Sequence, residues 1–327
     1  MMKTKKLLAF IFSCCICSVY ASDYVMRTND GVEHSLDDFF SENNKPYFEQ
    51  LVQKHDVSGY RDLVLETQRG ARVRARLYER GHQTLIVLSL GKGADLTECE
   101  HYAEYLIGDY DVLIFEYAWA PLNQWNLVRH TVNGYFMHNH EEVIAASRLA
   151  RALQQRNGYR QIVGMGECYS AFTCSKAQAL RELDGEKLFD KLILDSCLVS
   201  LGDYVRSFIV DPVLMYDSLK GGFPNFLKPC TKLLCAAFNR PINCLYRDAQ
   251  GPIEVTRYLP HITVPILFIR GANDPSISWE NFENAWNSAR APKAAFITPF
   301  QHANNFQYAG RPFYLSVVQH FIDDNLL

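Results

Sequence analysis

Short apolar runs alternate with segments of helical periodicity from residue 84 to the C-terminus. The runs fall at 84–90, 111–115, 161–165, 191–195, 265–269 and 294–297. Continuous apolar runs are typical of strands buried on both faces of a parallel sheet. Apolar residues recurring at three- and four-residue steps predict helices at 97–107, 141–156, 171–182, 279–289 and 313–323. This alternation predicts an α/β fold, a doubly wound and mostly parallel sheet with helices on both faces.

The chain before residue 84 has a different pattern. Residues 62–77 alternate apolar and charged side chains on either side of a turn at 68–70, which predicts an antiparallel hairpin. Residues 22–56 are polar and mixed, and their aromatic residues, among them Phe39 and Phe48, indicate helical packing onto the main body.

Residues 200–260 interrupt the alternation. They hold several prolines, the pair Gly221-Gly222, three cysteines and many aromatic residues. We interpret this stretch as an inserted cap. Its apolar residues, such as Phe208 and Phe226, favour an apolar acyl or aromatic substrate, although ordinary packing explains them equally well.

The first 21 residues have the order of a secretory signal peptide. Three lysines precede an apolar stretch from Leu7 to Val19, and small residues follow up to Ala21. The apolar stretch is shorter than the ~20 residues that span a bilayer, so no stable membrane span is expected. We predict cleavage after Ala21, a mature domain at 22–327 and a periplasmic or secreted location. An uncleaved membrane anchor is the alternative.

Export implies an oxidising compartment, which changes how the cysteines are interpreted. Seven of the ten cysteines follow the predicted cleavage site: Cys99, Cys168, Cys174, Cys197, Cys230, Cys235 and Cys244. An odd number predicts up to three disulfides and one free thiol. The three cysteines of the predicted cap could bind zinc, but we favour a disulfide among them, because exported chains more often oxidise such groups.

The bulk composition excludes little. The 327 residues are 48% hydrophobic and 21% charged, with a net charge of -3, which is ordinary for a globular protein. No basic run or basic-aromatic stripe indicates binding to nucleic acid.

The sharpest chemical motif is the pentapeptide GECYS at 166–170, directly between a predicted strand and a predicted helix. A tight strand-to-helix turn has no room for large side chains two residues before or after its central residue, and Gly166 and Ser170 meet that need. The turn would place Cys168 at a helix N-terminus, where the helix dipole favours a thiolate. We predict Cys168 as a nucleophile. One alternative is that Cys168 is a buried, inert cysteine. Another is that Ser170 is the nucleophile, which is less favoured because Phe172 would then stand two residues after it and is too large for the turn.

Two further candidates follow later predicted strands. Asp274 lies in the segment RGANDP at 270–275, and His302 lies in TPFQHAN at 298–304. His302 would accept the proton of Cys168, and Asp274 would orient the imidazole and stabilise its cation. The alternatives are a turn-forming role for Asp274, Asp195 as the acid, and a structural role for His302.

The segment LGKG at 90–93 ends the first buried strand. We predict that the backbone N–H groups of Lys92 and Tyr169 hold the oxyanion that forms during acyl transfer. A plain glycine loop is the alternative. No metal-ligand spacing or phosphate-binding loop is present, so neither a metal nor a cofactor is expected.

Together these motifs resemble the α/β-hydrolase superfamily, from about residue 62 to the C-terminus. The oxyanion motif has Leu90 where a histidine usually stands, and the nucleophile elbow has Ser170 where a second glycine is usual. The segment 271–274 resembles the acid loop, and His302 lies at the position of the histidine. A cysteine nucleophile is similar to that of the dienelactone hydrolases and polyester synthases.

Two functions follow as hypotheses. The first is an exported hydrolase that acts on an ester, lactone or thioester through a Cys168–His302–Asp274 triad and an acyl-cysteine intermediate. An acyltransferase would use the same site if an alcohol or amine replaced water. The second is a non-catalytic, hydrolase-like binding protein, which a disulfide between Cys168 and Cys174 would suit. The expected partner of the enzyme is a small acyl substrate.

Overall fold

A computed structural model describes residues 24–36, 38, 54–91, 94–117, 138–200, 254–306 and 310–323. The predicted signal peptide and most of the predicted cap lie outside the described residues. So do Lys92 and the cysteines at 230, 235 and 244.

In these ranges, ten strands form one sheet in the order β2-β1-β10-β9-β8-β7-β5-β6-β4-β3. The strands are β1 (Val25–Arg27), β2 (Glu33–Ser35), β3 (Arg61–Glu66), β4 (Arg72–Tyr78), β5 (Thr84–Ser89), β6 (Asp111–Phe115), β7 (Gln161–Glu167), β8 (Lys191–Asp195), β9 (Ile266–Gly271) and β10 (Lys293–Thr298). Six neighbouring strands are mutually parallel: β10, β9, β8, β7, β5 and β6. The strands outside them, β1 and β2 at one edge and β4 and β3 at the other, pair antiparallel.

Five α-helices of the described residues cover the two faces of the sheet. They are α1 (Leu96–Leu106), α2 (His140–Asn157), α3 (Tyr169–Leu183), α4 (Trp279–Ser288) and α5 (Arg311–Ile322), with 3-10 turns at Val255–Arg257 and Leu259–His261. One core contains apolar residues of α2, α3 and α4, and the other contains those of α1 and α5. The predicted doubly wound, mostly parallel α/β architecture is confirmed.

The central strands form because their side chains are apolar on both faces. Every residue of β5, β6, β8 and β9 is buried, as expected for strands between two helical layers. The predicted hairpin is confirmed as β3 and β4, which alternate exposed and buried positions. Helix α2 ends at Asn157, and the next residue, Gly158, has a positive φ of 76°, the left-handed conformation that commonly ends a helix.

The sequence pattern of residues 22–56 indicates helical packing, but part of this segment forms strands. Residues 25–27 and 33–35 form a short hairpin that adds to the sheet beside β10. Gly31, with φ of 84°, and the Asp30 carboxylate, which accepts the Val32 N–H at 3.2 Å, shape its turn. Strands of three residues are too short to show an alternating pattern, so periodicity cannot predict them. Phe39 and Phe48 lie outside the described residues.

The prediction of up to three disulfides is wrong for the described cysteines. Cys99, Cys168, Cys174 and Cys197 are free thiols. A bond between Cys168 and Cys174 is excluded by helix geometry. Six residues along a helix rise about 9 Å, and a disulfide needs Cα atoms within about 7 Å.

No helix among the described residues is long and apolar enough to cross a membrane.

The parallel strands bring four candidate segments to the same edge of the sheet, at the carboxyl ends of the strands. The ends of β7, β8 and β9 are level, because Glu167 pairs with Asp195 and Asp195 pairs with Ile269. The carboxyl ends of such strands are where an open α/β sheet collects its reactive groups. The loops after β5, β7, β9 and β10 carry the predicted site residues.

We predict that the N-terminal hairpin is an integral part of the fold. Met26 of β1 is fully buried in the core beside α1 and α5. Met26→Ala should lower the free energy of unfolding by about 2–5 kcal/mol, because it removes buried methylene and thioether contacts. Urea unfolding measures this change. The matched control is Val32→Ala in the same hairpin, where the side chain is 47% exposed and a change within about 0.5 kcal/mol is expected. Equal effects of the two substitutions would contradict the prediction.

Candidate active site

Cys168 lies at a strained turn between β7 and α3. Its backbone has φ of 55° and ψ of -116°, a conformation that non-glycine residues rarely adopt. A Cβ added at Gly166 would lie 2.6 Å from the Ser170 carbonyl carbon, so only glycine fits two residues before the cysteine. The Cys168 N–H donates to the Asp195 carbonyl at 2.8 Å, which ties the turn to the next strand.

The turn directs the sulfur toward an imidazole from the far end of the chain. Cys168 Sγ and His302 Nε2 are 3.2 Å apart and share a hydrogen bond. His302 Nδ1 donates to Asp274 Oδ2 at 2.8 Å. The structure therefore brings the three predicted residues into one hydrogen-bonded chain, in the geometry that an activated nucleophile requires.

Asp274 is held rigidly behind the imidazole. Its side chain is fully buried, and Oδ1 accepts the N–H groups of Ser276 at 2.8 Å and Ile277 at 3.0 Å. Asp195, the alternative acid, instead accepts from Ser196, Asn305 and Tyr314. Asp274, and not Asp195, therefore orients His302.

Opposing effects act on the protonation of His302. Burial alone would lower the pKa of the imidazole, but a negative charge on Cys168 and the hydrogen bond that Nδ1 donates to Asp274 outweigh burial and hold that pKa well above its ordinary value. The site therefore suits an imidazole that accepts a proton.

Ser170, the alternative nucleophile, lies buried in the turn with its hydroxyl hydrogen-bonded to three neighbours. It is fully buried, and its hydroxyl donates to the Leu90 carbonyl at 2.7 Å. It also receives the Ser89 hydroxyl at 2.9 Å and lies 2.7 Å from the Tyr117 hydroxyl. The serine that replaces the usual glycine thus connects the end of β5 to the start of α3.

The predicted oxyanion residues are described in part. Tyr169 is the first residue of α3, so its backbone N–H directly follows the nucleophile position. Lys92 lies outside the described residues. Its neighbour Gly91 contacts the cysteine closely, because a Cβ there would lie 2.9 Å from Cys168 Cβ and 3.4 Å from Sγ. Gly91 therefore brings the loop after β5 against the cysteine without covering the sulfur.

Sequence reasoning missed a polar network behind the triad. Asn305 donates to Asp195 at 2.6 Å and to Ser196 Oγ at 3.0 Å, and it accepts the Thr298 hydroxyl at 2.5 Å. The Ala303 N–H donates to Ser196 Oγ at 3.1 Å. These bonds fix the loop that carries His302. The only sign of them in the sequence was a polar residue at the end of β8.

Within the described ranges, no group of three histidine, cysteine or acidic side chains is placed to hold a metal ion.

Solved structures with the same architecture come from several esterases. An esterase of Pyrococcus furiosus superposes with a TM-score of 0.58 at 16% identity, covering 84% of this chain and 97% of its own. The esterase of Pyrobaculum calidifontis gives a TM-score of 0.57 at 14% identity, covering 86% and 89%. Acetyl xylan esterase 1 from Thermoanaerobacterium gives 0.52 at 15% identity, covering 86% and 92%.

The chain has the α/β-hydrolase fold. No protein-family model matches the sequence, and no curated protein matches it either. At this level of identity the likeness establishes the fold, and the α/β-hydrolase fold is the architecture that the sequence motifs implied. In this fold the nucleophile, the acid and the histidine follow one another along the chain, as Cys168, Asp274 and His302 do.

We predict that Cys168 is the fastest of the four described thiols to react. Its sulfur is partly exposed and bonded to His302, whereas Cys99 and Cys174 are at most 1% exposed and Cys197 is 7% exposed. Burial raises the pKa of both Cys99 and Cys174 to about 12. Iodoacetamide at pH 7.5 should therefore modify Cys168 at least about a hundredfold faster than these two. Peptide mass spectrometry of timed samples gives the rates, and comparable rates at Cys99 and Cys168 would contradict the prediction.

Proposed function

We propose that this chain is an exported hydrolase that cleaves an ester, lactone or thioester through an acyl-cysteine intermediate. The single observation that carries the proposal is the hydrogen-bonded chain from Cys168 Sγ through His302 to Asp274. A cysteine in an inert role would need neither the strained backbone nor an imidazole held by a buried carboxylate.

The first half of the reaction acylates the cysteine. The Cys168 proton moves to His302 Nε2, and Sγ forms a bond to the substrate carbonyl carbon, whose oxygen becomes an oxyanion. The oxyanion then collapses, and the bond to the leaving oxygen or sulfur breaks. That leaving group takes the proton from His302 Nε2 and departs as an alcohol or thiol.

The second half releases the acyl group. Water gives a proton to His302 Nε2 while its oxygen attacks the thioester carbon. Collapse of the second oxyanion breaks the bond to Sγ, which regains the proton and leaves a carboxylic acid. Asp274 stabilises the imidazolium in both halves.

Two backbone N–H groups are proposed as oxyanion donors. Tyr169 follows the nucleophile and Lys92 follows Gly91, which contacts Cys168. Two donors aimed at a developing negative charge are worth several kcal/mol to such a reaction, at about 2.7–4 kcal/mol for each donor removed. The rigid link from Ser170 to Leu90 would hold the two donors at a fixed separation.

The comparisons support the ester class in particular. The structural neighbours named above are esterases. Export rests on the signal-peptide pattern of residues 1–21, and the apolar acyl group rests on the composition of the predicted cap. Both belong to the proposal. The binding-protein hypothesis loses its main support, because Cys168 is a free thiol.

The decisive test is a panel of short- and long-chain p-nitrophenyl esters and acyl thioesters. We expect wild type to cleave at least one substrate and Cys168→Ala to lose about a thousandfold or more of kcat/KM, since the covalent step is removed. Release of p-nitrophenol or free thiol measures turnover. Adding an alcohol or amine acceptor distinguishes hydrolysis from acyl transfer by the product formed. Turnover of no substrate, or equal turnover by the variant, would reject the function.

His302→Ala tests the assigned base independently. The variant should bind substrate but lose at least about a hundredfold in kcat, because neither proton transfer has an acceptor. Circular dichroism and thermal unfolding confirm that it folds. His261→Ala is the matched control, because His261 is exposed at the end of the 3-10 turn at 259–261. Wild-type activity in His302→Ala would refute the mechanism.

A further inference from the structure

Two carboxylates stand side by side behind the candidate nucleophile. Glu167 ends β7 and Asp195 ends β8, and the two are Cα partners in the parallel pairing. Both side chains lie on the face covered by α1 and α5, because Glu167 meets Tyr102 of α1 and Asp195 meets Tyr314 of α5. Neighbouring strands are about 4.8 Å apart, so the two carboxylates are close neighbours.

The two carboxylates accept different numbers of hydrogen bonds from the protein. Asp195 accepts three hydrogen bonds, from Asn305 at 2.6 Å, Ser196 at 3.0 Å and Tyr314 at 3.0 Å. Glu167 accepts one, from the Tyr102 hydroxyl. Among the described residues, no lysine or arginine forms an ion pair with either carboxylate. Hydrogen bonds to the charged form favour ionisation, so Asp195 is the better place for a negative charge.

The titratable groups facing Glu167 come from every neighbouring element. They are Asp195 of β8, His302 of the loop after β10, Tyr314 of α5, and Tyr102, Glu98 and Cys99 of α1. Burial, then the Asp195 charge, raises the pKa of Glu167 to about 8. Burial raises the pKa of Asp195 to about 6. Two interacting carboxylates lose their protons as a pair, and near neutral pH this pair holds one proton, on Glu167.

We propose that Glu167 is a positioning residue whose carboxyl proton keeps a second negative charge away from the Cys168–His302 pair, so that its ionisation limits Cys168 reactivity at alkaline pH. The proposal rests on the proposed function in one respect, the identity of the reacting pair. Glu167 acts through this pair and does not itself touch the reacting atoms.

The link to the sulfur is short. Glu167 is covalently adjacent to Cys168, and the Asp195 carbonyl accepts the Cys168 N–H. When Glu167 loses its proton, a second negative charge appears beside the thiolate. Repulsion then destabilises a thiolate at Cys168, so that less of it is present for attack at a given pH.

The test measures the rate of Cys168 alkylation by iodoacetamide from pH 6 to pH 9.5, with peptide mass spectrometry to isolate Cys168. The wild-type profile should carry an inflection near pH 8. Above it, the rate should fall at least about threefold below the value extrapolated from lower pH. Glu167→Gln cannot ionise and should lack the inflection. Glu98→Gln makes the same chemical change on the neighbouring helix and should retain it.

Tyr102→Phe provides a second variant with a signed prediction. The Tyr102 hydroxyl favours the ionised form of Glu167, so its removal should move the inflection to higher pH. An inflection that persists in Glu167→Gln, or that is missing from wild type, overturns the proposal. If Glu167→Gln does not fold, an inflection that stays in place or moves down in Tyr102→Phe overturns it.

The alkylation assay needs no substrate and no oxyanion hole. An inflection found in a protein that cleaves no acyl compound would support the carboxyl pair and reject the proposed function. Acyl cleavage by a protein whose alkylation profile lacks the inflection would support the proposed function and reject the role of the carboxyl pair.

Discussion

The contact between Cys168 Sγ and His302 Nε2 sets the requirements that the surrounding site must meet. It joins residues 134 positions apart in sequence, so each side must be fixed independently. The cysteine is fixed by a backbone conformation that only a glycine at 166 permits. The histidine is fixed by a buried carboxylate on one side and by the Asn305–Ser196–Asp195 network on the other. A loss of order in either support would separate the two atoms.

Most of the fold could be predicted from the sequence, because burial on both faces leaves a strong local signal. Strands such as β5 and β8 are short apolar runs, and the loops after them carried the polar residues of the site. Cys168, Asp274 and His302 were identifiable because each follows such a strand. The hairpin of β1 and β2 left no comparable signal, since three residues cannot show a period.

The polar network behind the triad could not be predicted for a different reason. Glu167 and Asp195 become neighbours only through the register of β7 against β8, and Asn305 reaches Asp195 across 110 residues. No spacing in the chain indicates such contacts. The disulfide prediction was wrong for the described cysteines, because cysteine counting assumes pairing. These thiols lie on separate elements or, for Cys168 and Cys174, just before α3 and in its second turn.

The uneven burial of the four described thiols has a consequence for the durability of the protein. Oxidants attack exposed thiolates first, giving a sulfenic acid that further peroxide converts irreversibly to sulfinic and sulfonic acids. Cys99, Cys174 and Cys197 are shielded by the core, so among these four the damage concentrates at Cys168. Ageing in air would then produce protein that remains folded but inert, and a reductant in the storage buffer would preserve it.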